Sequence, residues 1–183
     1  SNLLHELGGG TVIGPLLVGL AKPAQIVPMG ATVTEIVNLS AIAAHEAGHA
    51  MQDEIKYPFL MLRTAMVPIT SFGSRFGYFM LIGGFLLAVF TGVSPIGLTI
   101  AWIGLGLFST AFVFALITLP VEFDASRRAV GLMEQAGLVT GAEGVHAKKV
   151  LDAAALTYIA AMFVALMQVL YFALRLLALS GRR

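Results

Sequence analysis

FGYFMLIGGFLLAVFTGV, from Phe76 to Val93, and PIGLTIAWIGLGLFSTAFVFALITL, from Pro95 to Leu119, decide the fold, for neither holds an Asp, Glu, Lys or Arg. A spanning helix needs about 20 apolar residues to cross a hydrocarbon core of ~30 Å. Both runs meet that length, and the Gly92-Val93-Ser94-Pro95 punctuation between them predicts a tight antiparallel helical hairpin. Gly83, Gly84, Gly104 and Gly106 lie on its two arms, where small residues would let the helices approach closely. A third apolar run, Ala154 to Leu179, is also long enough to span. The rest of the composition agrees. Hydrophobic residues make up 58% of the 183 and charged residues 11%, far from a soluble average. The expectation is an all-α membrane protein with about three transmembrane helices and a lipid bilayer as its first partner.

With 11 Lys+Arg against 10 Asp+Glu, the charge is +1, which excludes a basic nucleic-acid surface. The absence of cysteine removes disulfides, thiolate nucleophiles and Cys-rich zinc sites, so a metal must be held by His and carboxylates. Arg63, Arg75, Arg127, Arg128, Lys148 and Lys149 flank the side opposite the hairpin turn, which by the positive-inside rule faces the cytoplasm. Arg175, Arg182 and Arg183, at the far end of the third span, pull the other way.

Upstream, Thr32 with Glu35 reads as a capping box, predicting a helix from about Val33 to about Asp53. Tyr57-Pro58 ends it, and Pro68 should kink the helix that follows. Residues 1–31, with Gly8-Gly9-Gly10, Pro15, Pro23 and Pro28, read as loop, short strands or a membrane-surface segment. The chain opens on Ser1 without a basic, apolar leader, so no signal peptide is evident and a trimmed N-terminus is an open possibility. The expected organisation is an irregular segment, 1–31, followed by one membrane-embedded domain, 32–183.

Inside the predicted helix stands His45-Glu46-Ala47-Gly48-His49, an H-E-x-x-H pattern. Histidines four apart share a helical face, which suits two imidazoles on one tetrahedral zinc. Glu46 is rotated by ~100° about the axis from His45, beside the metal without being forced to ligate it, where a general base for activated water belongs. The bland alternative, polar residues on a wet face, fits poorly with the apolar neighbours Ile42, Ala43, Ala44, Ala47 and Ala50. A catalytic zinc usually has a third protein ligand. Glu122 and Asp124 follow the second span directly, where Pro120 suits the first turn of a new helical segment. Two positions apart, they point about 200° from each other, so only one faces the metal. Asp124 is spaced for an ion pair with Arg128, which leaves Glu122 as the freer ligand and Asp124 as second choice or supporting residue. His146 reads more naturally as an interfacial histidine than as a ligand. Tyr158 could serve an oxyanion or an aromatic belt. His5 and Glu6 carry no argument toward the metal.

AAHEAGHAMQD (Ala43 to Asp53), TLPVEFDASRRA (Thr118 to Ala129) and VHAKKVLDAAALTYIAA (Val145 to Ala161) together resemble the YugP-like membrane zinc metallopeptidases, and more distantly the HtpX-like membrane proteases. The resemblance runs from about Ser40 to the C-terminus. It implies a zinc endopeptidase with His45, His49 and Glu122 as ligands and Glu46 as base, acting on a protein or peptide substrate, in a bacterial cell membrane. HtpX-like proteases carry an aspartate four residues after the liganding glutamate; here that position is Ser126. Ser1 to Val37 does not follow the family pattern. The competing reading is a non-catalytic, metal-binding scaffold or regulatory protein. An intramembrane motif is a third possibility, disfavoured by the polar Gln52, Asp53, Glu54 and Lys56 that close the motif helix.

Overall fold

The computed structural model describes residues 16–17, 24–25, 27 and 29–181. Apart from a two-residue antiparallel pairing of β1 (Leu16–Leu17) with β2 (Ala24–Gln25), its regular structure is helical. The helices are α1 (Val33–Glu54), α2 (Pro58–Phe90), α3 (Pro95–Phe108), α4 (Thr110–Gln135) and α5 (Ala142–Ser180). α2, the stretch Pro95–Gln135 and α5 are each long and apolar enough to cross a membrane. Large side chains left facing outward support the same class: Phe79 is 73% exposed and Phe90 82%, surface that costs free energy in water and none in lipid. The chain is an all-α membrane protein.

Two compact units divide it: residues 1–55 with 122–155, and residues 56–121 with 156–183. In the second, α2 and α3 form the expected hairpin. Its turn places Gly92 and Val93 in the left-handed region (φ 71° and 62°). The Val93 amide then donates to the Ala88 carbonyl at 2.6 Å, tying the turn back to α2. The helix therefore stops at Phe90 and the last three residues of the first apolar run belong to the turn. Glycines do set the interhelical distance, but not all those expected. A Cβ on Gly77, Gly84, Gly97 or Gly104 would run into backbone of the facing helix, whereas Gly83 and Gly106 face open space. Gly77 and Gly84, like Gly97 and Gly104, are seven residues apart, the repeat that returns to one face of a packed helix. Leu81, Ala88, Leu98, Ala101, Leu105 and, from α5, Leu176 form the core they admit.

Two helix boundaries correct the sequence reading. Pro120 does not open a new segment, because α4 runs through it from Thr110 to Gln135, and the interruption falls at Ser109 instead. Proline removes one backbone donor, a loss that helices in this setting accommodate. The Ser109 hydroxyl, meanwhile, donates to the Leu105 carbonyl at 2.7 Å and competes with the helical ladder there. Pro68 lies inside α2 without ending it.

In the first unit, α1 starts where expected. Thr32 Oγ1 accepts the Glu35 amide at 3.3 Å and Glu35 Oε2 accepts the Thr32 amide at 2.7 Å, a complete capping box. α1 buries Val37 and Ala41 against Ala129 and Met133 of α4, with Val139, and with Ala147 and Leu151 of α5. Of the segment 1–31 assigned to loop or short strands, all but a few residues lie outside those described, His5 and Glu6 among them.

Candidate metal centre

Gly48 governs how α1 meets α4. A Cβ there would stand 2.6 Å from the Ala125 carbonyl oxygen, so only glycine permits the observed approach of the two backbones. The motif's histidines flank this contact, and α4 carries Glu122 and Ser126 on either side of Ala125. Glu122 Oε2 consequently lies 3.1 Å from His45 Nε2 and 3.5 Å from His49 Nε2. One potential ligand atom from each of the three residues lies within 4.8 Å of the others. The imidazole rings meet edge to face with centroids 4.7 Å apart. Glu122 is only 2% exposed. A carboxylate withdrawn from water that far is costly unless cations or donors surround it.

Each histidine turns its other nitrogen to a different partner. His45 Nδ1 lies 3.2 Å from Ser126 Oγ. His49 Nδ1 lies 3.0 Å from Gln52 Oε1, and Gln52 Nε2 donates to Asp124 Oδ2 at 2.9 Å. Arg128 Nε donates to the same oxygen at 2.7 Å, the expected i,i+4 pair. Burial works against a charged His49, but the hydrogen bonds to Glu122 and Gln52 and the charges of Glu122 and Glu46 outweigh it, and the ring is held above its ordinary pKa.

Of the residues singled out in the sequence, His45, His49 and Glu122 are brought together. Asp124 is not part of that cluster and reaches it through Gln52. Glu46 is half-buried on α1 and makes no hydrogen bond to another described residue. His146 Nε2 donates to Asn38 Oδ1 on α1 at 3.1 Å and is not in the cluster. Tyr158 belongs to the other compact unit. Sequence reasoning missed two residues. Gln52, read as part of a polar helix end, is fully buried, unlike the exposed Asp53 and Glu54 beside it. Ser126 was noted only for not being an aspartate. The available signal was spacing: Gln52 is three residues from His49 and Ser126 four from Glu122, on the same helical faces.

A membrane-embedded helical protein in which a buried glutamate meets the two half-buried histidines of an H-E-x-x-H helix defines a class, and comparison with known proteins agrees with it. Residues 28–177 match the family described as "Putative neutral zinc metallopeptidase", and the chain belongs to that family. It is 39% identical over 146 residues to "Putative membrane protease YugP" of Bacillus subtilis (strain 168), covering 80% of this chain and 60% of that protein. Residues 2–44 match a second family, "Phosphate acetyl/butaryl transferase". A stretch of 48 residues, 26% of this chain, is 60% identical to 6% of the "NADP-dependent malic enzyme" of Rhizobium meliloti (strain 1021). The matches thus span 60% of the length of the first of these relatives and 6% of the second. No solved structure matches it significantly.

Proposed function

We propose that the chain is a zinc-dependent endopeptidase of the membrane, with His45, His49 and Glu122 holding the ion and Glu46 as general base. The observation that carries this reading is the convergence of the three donor atoms within 4.8 Å, two from one helix and one from another. The donor set fits the group. Two imidazoles and one carboxylate make a His2Glu site, the kind that leaves a catalytic zinc with an open position. When bound, zinc would supply Lewis acidity toward a peptide carbonyl and lower the pKa of water.

The chain's own residues supply the remainder. Glu46 follows His45 by one position, so its carboxylate is offset about the helix axis from the ligand face. Half-buried on the motif helix, it would take a proton from the water that attacks the scissile carbonyl. The same carboxyl then returns that proton to the departing amine. Glu122 neutralises charge at the site, and Ser126 and Gln52 hold the two rings. Glu122 follows an apolar spanning stretch directly in sequence, which favours membrane proteins or their juxtamembrane segments as substrates. The distribution of Lys and Arg favours a site on the cytoplasmic side of a bacterial cell membrane.

Zinc content and cleavage of a membrane-protein substrate, measured side by side, test the proposal. The parent should bind about one zinc per chain and cleave; Glu46→Gln should keep zinc and lose cleavage, and Glu122→Gln should lose affinity for the metal. A parent that binds zinc yet cleaves nothing would favour a scaffold. A parent without zinc would sink the reading.

A further inference from the structure

We infer that Gln52, aimed by Asp124 and Arg128, is the positioning residue that keeps the His49 proton on Nδ1 and so leaves Nε2 free to bind the metal. The inference rests on the metal-site reading and concerns how that site is kept competent.

A neutral imidazole carries one N–H, and whichever nitrogen holds it cannot ligate. Two acceptors compete for that proton on His49. Glu122 Oε2, 3.5 Å from Nε2, draws it to the nitrogen that must stay bare, while Gln52 Oε1, 3.0 Å from Nδ1, draws it away. A glutamine could equally present its NH2 group to the ring, which would reverse the outcome. Asp124 prevents this. A carboxylate paired with Arg128 at 2.7 Å can only accept, so Gln52 must turn its nitrogen toward Asp124 and its oxygen toward His49. Complete burial of Gln52 removes water as an alternative partner for either end of its amide. His45 differs, since its Nδ1 faces the Ser126 hydroxyl, which donates or accepts as required. Only one of the two rings is therefore fixed.

The test combines zinc affinity, measured against a competing chelator, with the 15N signature of His49 in the metal-free protein at a pH above its pKa. In the parent, the proton is expected on Nδ1. Gln52→Met, similar in volume and unable to accept, should move it toward Nε2 and weaken zinc binding by about 10- to 100-fold, the usual cost of losing such a partner. The double substitution Gln52→Glu with Asp124→Asn exchanges the two groups and keeps an oxygen facing His49. It should return the proton to Nδ1 and affinity to within a few-fold of the parent.

An unchanged His49 signature together with parental affinity in Gln52→Met would overturn the inference. If Gln52→Met does not fold, the exchange variant decides, and a proton on Nε2 there overturns it. A parent that takes up no zinc refutes the metal reading separately, because the 15N signature still reports which nitrogen Gln52 selects.

Discussion

Replacing Gly48 with alanine tests whether the α1 to α4 distance controls the site. The added Cβ would stand 2.6 Å from the Ala125 carbonyl oxygen and 3.2 Å from its Cα, where ordinary contact begins at 3.4 Å. Both are backbone atoms, so no side chain can swing aside and the helices must part by about 0.8 Å. Overpacking of this kind costs about 1–3 kcal/mol, against which alanine returns up to ~1 kcal/mol of helix propensity. The larger consequence is geometric. Glu122 sits one turn before Ala125 on the same helix, so its carboxylate retreats from His45 and His49 by a similar distance. Misplacement near 1 Å can cost about 10²-fold in a tuned site, and a 10- to 100-fold loss of zinc affinity is expected with a lower thermal midpoint. Gly131→Ala, also in α4 and with nothing within 4 Å of its added Cβ, is the control and should leave affinity unchanged and stability equal or higher. Parental zinc affinity in Gly48→Ala would refute the argument that close backbone approach assembles the site.

The hairpin offers a parallel test by thermal melting in detergent: Gly84→Leu and Gly104→Leu should disrupt packing, whereas Gly83→Leu and Gly106→Leu, which face open space, should be tolerated. Ser126→Ala removes the hydroxyl beside His45 Nδ1 and should weaken zinc binding, by less than Gln52→Met because a hydroxyl that can donate or accept does not fix the His45 proton on one nitrogen. Stripping the metal with a chelator should lower the melting temperature, by the equivalent of about 2.7 kcal/mol if zinc had been held at 100 times its Kd. The pH dependence should reverse with metal content. Without zinc, the raised His49 pKa contributes stability that is full below the ordinary value of 6.5 and fades as pH rises through the raised one. With zinc, the metal must displace that proton, so affinity should fall as pH drops through the same range, read by chelator competition across pH.

The features legible in the sequence are those set within one helix. The spans follow from apolar length, the start of α1 from Thr32 and Glu35 three residues on, and the pairing of His45 with His49 from a four-residue step. Even the preference for Glu122 over Asp124 came from a local argument, the Arg128 pair, which the structure contains at 2.7 Å. What escaped depends on register between helices. Nothing in MQDE says that Gln52 is buried while Asp53 is exposed, because that is decided by Asp124 on another helix and by the glycine contact that aligns the two. The same holds for which glycines touch in the hairpin, since Gly83 and Gly84 are adjacent in sequence and opposite in role. The expectation that Ser1 to Val37 departs from the protease pattern fails for residues 28–37, which lie inside the metallopeptidase match; residues 2–44 are also similar to a different family, and the two matches overlap across residues 28–44, within which α1 begins.

Ser126 shows how the missing aspartate can be compensated. In the HtpX-like pattern an acidic residue stands four positions after the liganding glutamate; here a hydroxyl stands there and faces His45. The carboxylate has moved two positions earlier, to Asp124, which points to another side of α4 and contacts no histidine. It acts on the second ring through an intervening amide, which lets one negative charge orient His49 without standing beside Glu122. Two carboxylates close together in so enclosed a site would repel, and one would hold a proton. On the proposed metal reading, spacing them by Gln52 would leave Glu122 the one acidic residue in the cluster while retaining the directionality an acidic partner provides. Asp124→Ala should thus weaken zinc binding although Asp124 touches neither histidine, because Gln52 would lose the acceptor that draws its nitrogen away from His49.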